Sequence, residues 1–283
     1  MMDAIPRSIE FTMKKSSSGK IKIKSKDPTQ AYAKITIGVL MIISIFALSY
    51  FDYKGIEFIN ALVATVSNIK TMFLEASLTH FTLKEAFTQV GITLSLAFLT
   101  TLIGGIVALI LGIFAAKNLS NPIVSNIMKS LVAFIRAVPT VLWVLIFAVT
   151  VGLGSEAAVI GMTFHTIGYL IKAYSEAFEE IDEGTIEALK ATGASFWQIV
   201  SQAVIPSSLR YILVWTFMRF EINFTNGVAM GAAAGAGGIG FELFMSSNFY
   251  FNVREVGFIT IAILICAVSL EIFSTKVKTR YLK

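Results

Sequence analysis

Few side chains in this sequence could do chemistry. His80 and His165 are the only histidines, and Cys266 is the only cysteine. A lone thiol excludes a disulfide or thiolate cage within one chain. The carboxylates show no metal-ligand spacing, so no metal site and no catalytic constellation is expected. Arg219, Glu221 and Asn223 stand out because they interrupt an apolar run. Arg219 falls about ten residues, or about 15 Å, into its helix, near the middle of a hydrocarbon core about 30 Å thick. A charge there costs several kcal/mol unless it faces protein or water. Asn223 shares the helical face of Arg219, whereas Glu221 points nearly the opposite way, with Thr225 on its side. One face is expected to line a pathway for an anion. The other pairs with a neighbouring helix, where His165 or Lys172 is the candidate partner. A purely structural Arg–Glu network between spans is the alternative.

Two nucleotide signatures need weighing. Gly235, Gly237 and Gly240 fit G-x-G-x-x-G, with Gly238 inside the motif. That fingerprint needs a preceding strand and a βαβ unit, and an apolar helix precedes it here. Close backbone packing or a gate is the better role for these glycines. The phosphate-cradling G-x-x-x-x-G-K-[ST] occurs nowhere; the Gly19-Lys20 pair is followed by Ile21. Any ATP and its Mg would bind a partner chain, and this chain is expected to hold no cofactor and not to be an enzyme.

The elements that must position these residues are membrane helices. Hydrophobic residues make up 55% of the 283 and charged ones only 14%, with a mean hydropathy of +0.76. That is too little charge to cover a soluble domain. The apolar runs are too long and continuous for a barrel, so the fold class is all-α, a polytopic membrane protein of about six transmembrane helices. The spans read 31–51, 89–116, 131–151, 157–178, 208–230 and 256–273. Residues 1–30 form a basic tail without regular structure, carrying Arg7, Lys14, Lys15, Lys20, Lys22, Lys24 and Lys26. Residues 52–87 form an outer segment, with an amphipathic interfacial helix over 56–72. In the second span Gly104, Ala108, Gly112 and Ala116 recur every four residues as a smooth ridge.

Six spans put both tails and the 179–207 loop on one side. That side also holds Lys117, Lys129, Arg136, Lys172, Lys190 and Arg210, whereas Lys54, Lys70, Lys84 and Arg254 lie opposite. The asymmetry makes the tail side cytoplasmic. It also explains the net charge of +5 without nucleic acid.

The 179–207 loop reads Glu187-Ala188-Leu189-Lys190-Ala191-Thr192-Gly193, then nine residues to Ala203-Val204-Ile205-Pro206. Acidic residues precede a short helix, where they favour the positive end of its dipole, and Thr185 is a plausible N-cap. Gly193 permits a sharp turn, Phe196 and Trp197 could anchor in a groove, and Pro206 ends the loop.

This stretch resembles the EAA loop of type I ABC import permeases, E-A-A-x3-G-x9-I-x-L-P. Glu187, Ala188, Gly193 and Pro206 match in identity and spacing, and Leu189, Ala203 and Ile205 depart from it while staying apolar. From Thr88 onward the chain also resembles the phosphonate importer permease family. The stretches are Arg136-Ala137-Val138-Pro139-Thr140, His165-Thr166-Ile167-Gly168, Arg219-Phe220-Glu221-Ile222-Asn223 and residues 235–243. The resemblance implies a type I ABC importer permease core over 88–275, between the outer segment and a cytoplasmic tail over 276–283, in a bacterial cell membrane. It implies that Glu187, Ala188, Gly193, Phe196, Trp197 and Pro206 couple to an ABC ATPase dimer. A second permease copy completes a homodimer, and an extracytoplasmic binding protein delivers a phosphonate, phosphite or related oxyanion. Arg219, Glu221, Asn223 and His165 are the pathway residues. A same-fold importer for another nutrient such as methionine is the alternative, and an ion-driven secondary transporter is a further rival that gives the loop no role.

Overall fold

A computed structural model describes residues 10–15, 21–26, 28–51, 55 and 57–281. Arg7, Lys20, Asp52, Lys54, Ile56 and Lys283 of the sequence reading lie outside the described residues. The chain divides into two units, 1–62 and 63–283. In the first, strands β1 (Glu10–Lys15) and β2 (Ile21–Lys26) pair antiparallel, Glu10 opposite Lys26 and Lys15 opposite Ile21. A hairpin thus replaces the irregular tail expected there. Its sequence signal is the alternation Ile21-Lys22-Ile23-Lys24, which has the two-residue period of a strand. Helix α1 (Pro28–Ser49) starts and ends slightly before the expected span and exposes its apolar side chains, as lipid-facing helices do.

Helix α2 (Phe58–Leu74) covers most of the stretch where a helix is expected and has no buried residue. Helix α3 (Leu83–Ala115) begins earlier than hydropathy alone suggests. Its start is set by a capping box, in which Thr82 Oγ1 accepts from Glu85 N and the Glu85 carboxylate accepts from Thr82 N. Along α3 the small-residue ridge meets α6 (Ser155–Glu179). A Cβ on Gly104 would stand 2.6 Å from Thr166 Cγ2, and one on Gly112 would stand 3.3 Å from Tyr174 Cβ. Ala108 and Ala116 are fully buried.

The expected third span is not one helix. α4 (Pro122–Ala137) and α5 (Thr140–Val151) are bent by 89°. Pro139 cannot donate a helical hydrogen bond and disfavours helical geometry at Val138, so the helix stops there. The bend is fastened by Trp143, whose Nε1 donates to Ile135 O at 2.9 Å. α5 then packs on α6 at Gly161, where a Cβ would lie 2.6 Å from Val144 Cα.

After α6 come α7 (Glu183–Ala191) and a one-turn helix, α8 (Phe196–Ile199). A π turn (Val200–Val204) leads directly into α9 (Ile205–Ala234). Pro206 therefore does not close the loop. It sits in the first turn of α9, inside a helical run that begins at Phe196, because widening to π geometry leaves room where a proline would otherwise clash. Thr185 is not the N-cap of α7 either; Asp182 is, and the Thr185 amide donates to its carbonyl. α10 (Gly238–Asn248) and α11 (Val253–Tyr281) complete the unit.

Among the described residues, three helices are long and apolar enough to cross a membrane, or up to five if each bent pair counts as one span. α6 is not one of them. Gly161, Thr163, His165, Thr166, Gly168 and Lys172 interrupt its apolar residues, and it is the helix that α3, α4, α5 and α9 all surround. Two clusters hold the unit together. One joins Leu170, Tyr174 and Phe178 to Ile186 and Ile199, and the other joins Val144, Met162 and Met230.

Gly161→Val puts a branched side chain into the α5 backbone, and overpacking of this kind costs about 1–3 kcal/mol. Gly105→Ala, whose new Cβ would meet Tyr174 Oη at 3.5 Å, is the tolerated control. Thermal unfolding of the solubilised protein is expected to drop for the first variant and to stay near wild type for the second.

Candidate functional site

Two features gather the candidate residues. The first is a polar node where α3, α6 and α9 meet. Arg219 on α9 is only 2% exposed. Its Nε donates to Thr166 Oγ1 at 3.1 Å, its Nη2 lies 3.0 Å from His165 Nδ1, and its guanidinium carbon sits 4.9 Å from the centre of the Tyr169 ring. Asn223, one turn on, is fully buried. Its amide donates to Thr101 Oγ1 at 2.9 Å and Thr166 Oγ1 at 3.0 Å, with Thr100 Oγ1 at 3.3 Å. Thr166 is the hinge of the network, since it also donates to Asn223 Oδ1 at 3.3 Å. The glycine at 104 is what lets its methyl come so close to α3.

Arg219, Asn223 and His165 are therefore brought together, as helical spacing anticipates. Glu221 is not, and among the described residues no ion pair joins it to Arg219. Its place is the other face of α9, where its carbonyl accepts from Thr225 at 3.5 Å. Lys172 pairs instead with Glu176 at 3.5 Å.

The second feature is the 179–207 loop. Ile186 and Leu189 seat α7 on the core, leaving Glu187, Ala188, Lys190 and Ala191 exposed. Gly193 turns the chain at φ +81° with nothing near its missing side chain; a left-handed residue is inexpensive only as glycine. Its N–H donates to Lys190 O and that of Ala194 to Leu189 O, which ends α7 tightly. Phe196 and Trp197 stack edge-on beyond the turn with Trp197 59% exposed. The loop's root is fixed by Glu179, which accepts from Lys129 Nζ at 2.7 Å and Lys117 N at 2.8 Å.

The 235–240 glycines form a turn between helices. Gly235 caps α9 at φ +63°, and Gly237 and Gly238 also have positive φ. A Cβ on Gly240 would collide with Val228 O, and one on Gly238 with Thr93 Oγ1. Close packing is thus real here, and the helix–turn–helix context rules out the dinucleotide fold.

A family of known proteins, the binding-protein-dependent transport system inner membrane component, matches residues 108–281, more than half of the chain. The chain belongs to this family. This inner membrane component is a multi-pass membrane protein, and both features above lie in or against the matched region. It is 33% identical over 183 residues to a phosphite transport system permease protein of Stutzerimonas stutzeri, covering 64% of this chain and 66% of the relative. It is 30% identical over 197 residues to a phosphate-import permease protein of Mycolicibacterium smegmatis, covering 69% and 37%. The chain thus spans less than two thirds of the length of these relatives. Among solved structures, a methionine ABC transporter in an inward facing conformation matches with a TM-score of 0.64 at 21% identity, over 71% of this chain and 99% of that one. That likeness shows the type I importer permease fold.

The sequence reading missed four parts of this inner membrane component. The Thr100–Thr101 pair was legible as two hydroxyls in an apolar run. Arg136, placed with its guanidinium carbon 5.9 Å from the Tyr169 ring centre, and the Glu179 grip had no local signal. The fourth lies at the far end. Glu255 is fully buried and accepts from the amides of Thr79 and His80 at 2.9 and 2.7 Å, with His80 Nδ1 at 2.7 Å. His80 stacks on Tyr250.

Asn223→Leu is expected to lower unfolding free energy by about 1–3 kcal/mol, because buried hydroxyls lose their donor. A double-mutant cycle with Thr101→Val checks it, and strictly additive losses would mean the contact contributes nothing. Burial raises the Glu179 pKa, but the Lys129 and Lys117 bonds and charges outweigh it and hold the carboxyl below its ordinary value. Its contribution is then present above the ordinary carboxylate pKa of about 4.3 and lost as pH falls through the depressed value. Glu179→Gln is expected to flatten stability against pH in that acid window and leave neutral-to-alkaline slopes alone.

Proposed function

We propose that this chain is the permease subunit of an ATP-driven importer for a phosphonate or related phosphorus oxyanion. The observation that carries the reading is mechanical. An exposed short helix, fixed at its root by Glu179 and turned at Gly193, feeds a helical run that starts at Phe196 and carries Arg219 and Asn223. A push on Glu187, Ala188, Phe196 or Trp197 from a docked ATPase dimer is thereby delivered to the polar node. ATP and Mg act on that partner, and the chain itself needs no catalytic site. The loop and both termini then lie in the cytoplasm. Residues 1–30 and 276–283 are tails, 31–51 is the first span, 52–87 the outer segment and 88–275 the permease core.

Two copies would enclose the pathway, fed by an extracytoplasmic binding protein. Arg219, held by Thr166 and by the accepting nitrogen of His165, supplies its positive ground, and Glu221 on the other face of α9 is free to meet the second copy. The 235–240 turn is the close-packed element at the outer end, a natural gate. Alternation between two discrete packings of the bundle moves the cargo. The phosphite and phosphate-import relatives support an oxyanion, and so does the node, which offers a guanidinium and hydroxyls without a carboxylate. Methionine, a zwitterion, would ask for both charges.

The test is ligand-stimulated ATP hydrolysis by the complex with its cognate ATPase and binding protein. Gly193→Val, strained at positive φ by about 1–3 kcal/mol, is expected to lose stimulation and still insert. Gly193→Asn, which tolerates that geometry, should keep most of it. Equal stimulation in both would remove the loop from the mechanism.

A further inference from the structure

Arg219 and Arg136 both place a guanidinium over the same tyrosine ring, at 4.9 and 5.9 Å from its centre. Among the described residues, neither forms an ion pair with a carboxylate. Two like charges this close raise each other's energy unless an anion balances them. The fold builds this juxtaposition deliberately. α4 approaches α6 at Gly168, where a Cβ would lie 2.7 Å from Ile135 Cγ2, and the Pro139 bend ends α4 just past Arg136. Beside it opens a cavity of about 200 Å³, lined by Arg136, Tyr169, Lys172, Ala173, Glu176 and Trp215. Arg136, Lys172 and Glu176 also line a second cavity of about 380 Å³ that reaches Lys117, Lys129 and Glu179. Cations thus run from the buried node towards the loop side. Glu176 is held by Lys172 and Glu179 by Lys129, so among the described lining residues Arg136 and Lys117 are the cations without an ion pair.

We propose that the cavity beside Tyr169 is a binding station for a phosphate-type oxyanion, gripped by Arg136 and Lys172 with Arg219 behind the ring. This rests on the oxyanion reading above and extends it from the node to the loop side. A planar guanidinium at the end of a helix suits a tetrahedral oxyanion through paired N–H donors. The same chemistry is presented by a free phosphorus oxyanion and by a phospholipid headgroup.

The experiment follows thermal unfolding of the full chain in nanodiscs. Inorganic phosphate and phosphite are titrated at constant ionic strength in zwitterionic lipid, and phosphatidylglycerol is added in a second series. Wild type is expected to gain stability saturably, since a ligand of the folded state stabilises it by mass action. Arg136→Gln and Lys172→Gln should weaken the apparent affinity about tenfold or more, the worth of a charge-assisted bond. Glu176→Gln, which frees Lys172, should tighten it, a gain that misfolding cannot imitate. A response to phosphate or phosphite that needs Arg136 identifies a free oxyanion, whereas one to phosphatidylglycerol alone identifies a headgroup. Responses unchanged by all three substitutions, or absent altogether, overturn the site. Uptake by the assembled complex separates the two claims. Normal oxyanion import by Arg136→Gln sinks the station alone, and Arg136-dependent binding without import by wild type sinks the importer reading alone.

Discussion

A guanidinium in the middle of an apolar bundle can persist only if protein replaces the water it gave up. Arg219 meets that demand with a threonine hydroxyl, an imidazole and the face of a tyrosine. Each partner comes from α6, and each sits on the stretch 165–169. The requirement propagates outward. Thr166 can serve Arg219 and Asn223 together only because Gly104 lets α3 lie against it. Tyr169 can lie beneath a second arginine only because Gly168 lets α4 do likewise. The small residues of α3 and α6 are therefore the means by which one buried charge is solvated by side chains.

Much of this was readable in residue types and spacing. The four-residue ridge on α3 foretold a close helix contact, which the structure makes with α6, and the spacing of Arg219 and Asn223 foretold their shared face. The E-A-x4-G run located the exposed helix and its left-handed turn. Local signals failed where backbone geometry was decided by packing or by proline. Hydropathy saw one span across Pro139 and the structure has an 89° bend. Proline chemistry suggested that Pro206 would close the loop before the next span, and a π turn just ahead of it joins loop and span in one helical run. Pairings distant in sequence, such as Glu179 with Lys129 or Glu255 with His80, leave no periodic trace at all.

The helical run from Phe196 to Ala234 joins the two features in one body. A π turn is a point where a helix can change its hydrogen-bond register, and here it stands between the exposed aromatics and the node. It combines stiffness along the axis with one site of compliance near the loop. Val200 and Val204 in that turn are buried, so whatever compliance exists is confined by the core around it.

The Glu255 clasp bears on the order in which the molecule is made. Its carboxylate sits at the start of α11, and the amides it holds belong to the irregular connection just before α3. During synthesis that early connection has to wait, its N–H groups served by water, until nearly the whole chain has emerged. Closure of the clasp thus marks completion of the bundle. A nascent chain halted before residue 255 leaves the Thr79 and His80 amides without this acceptor.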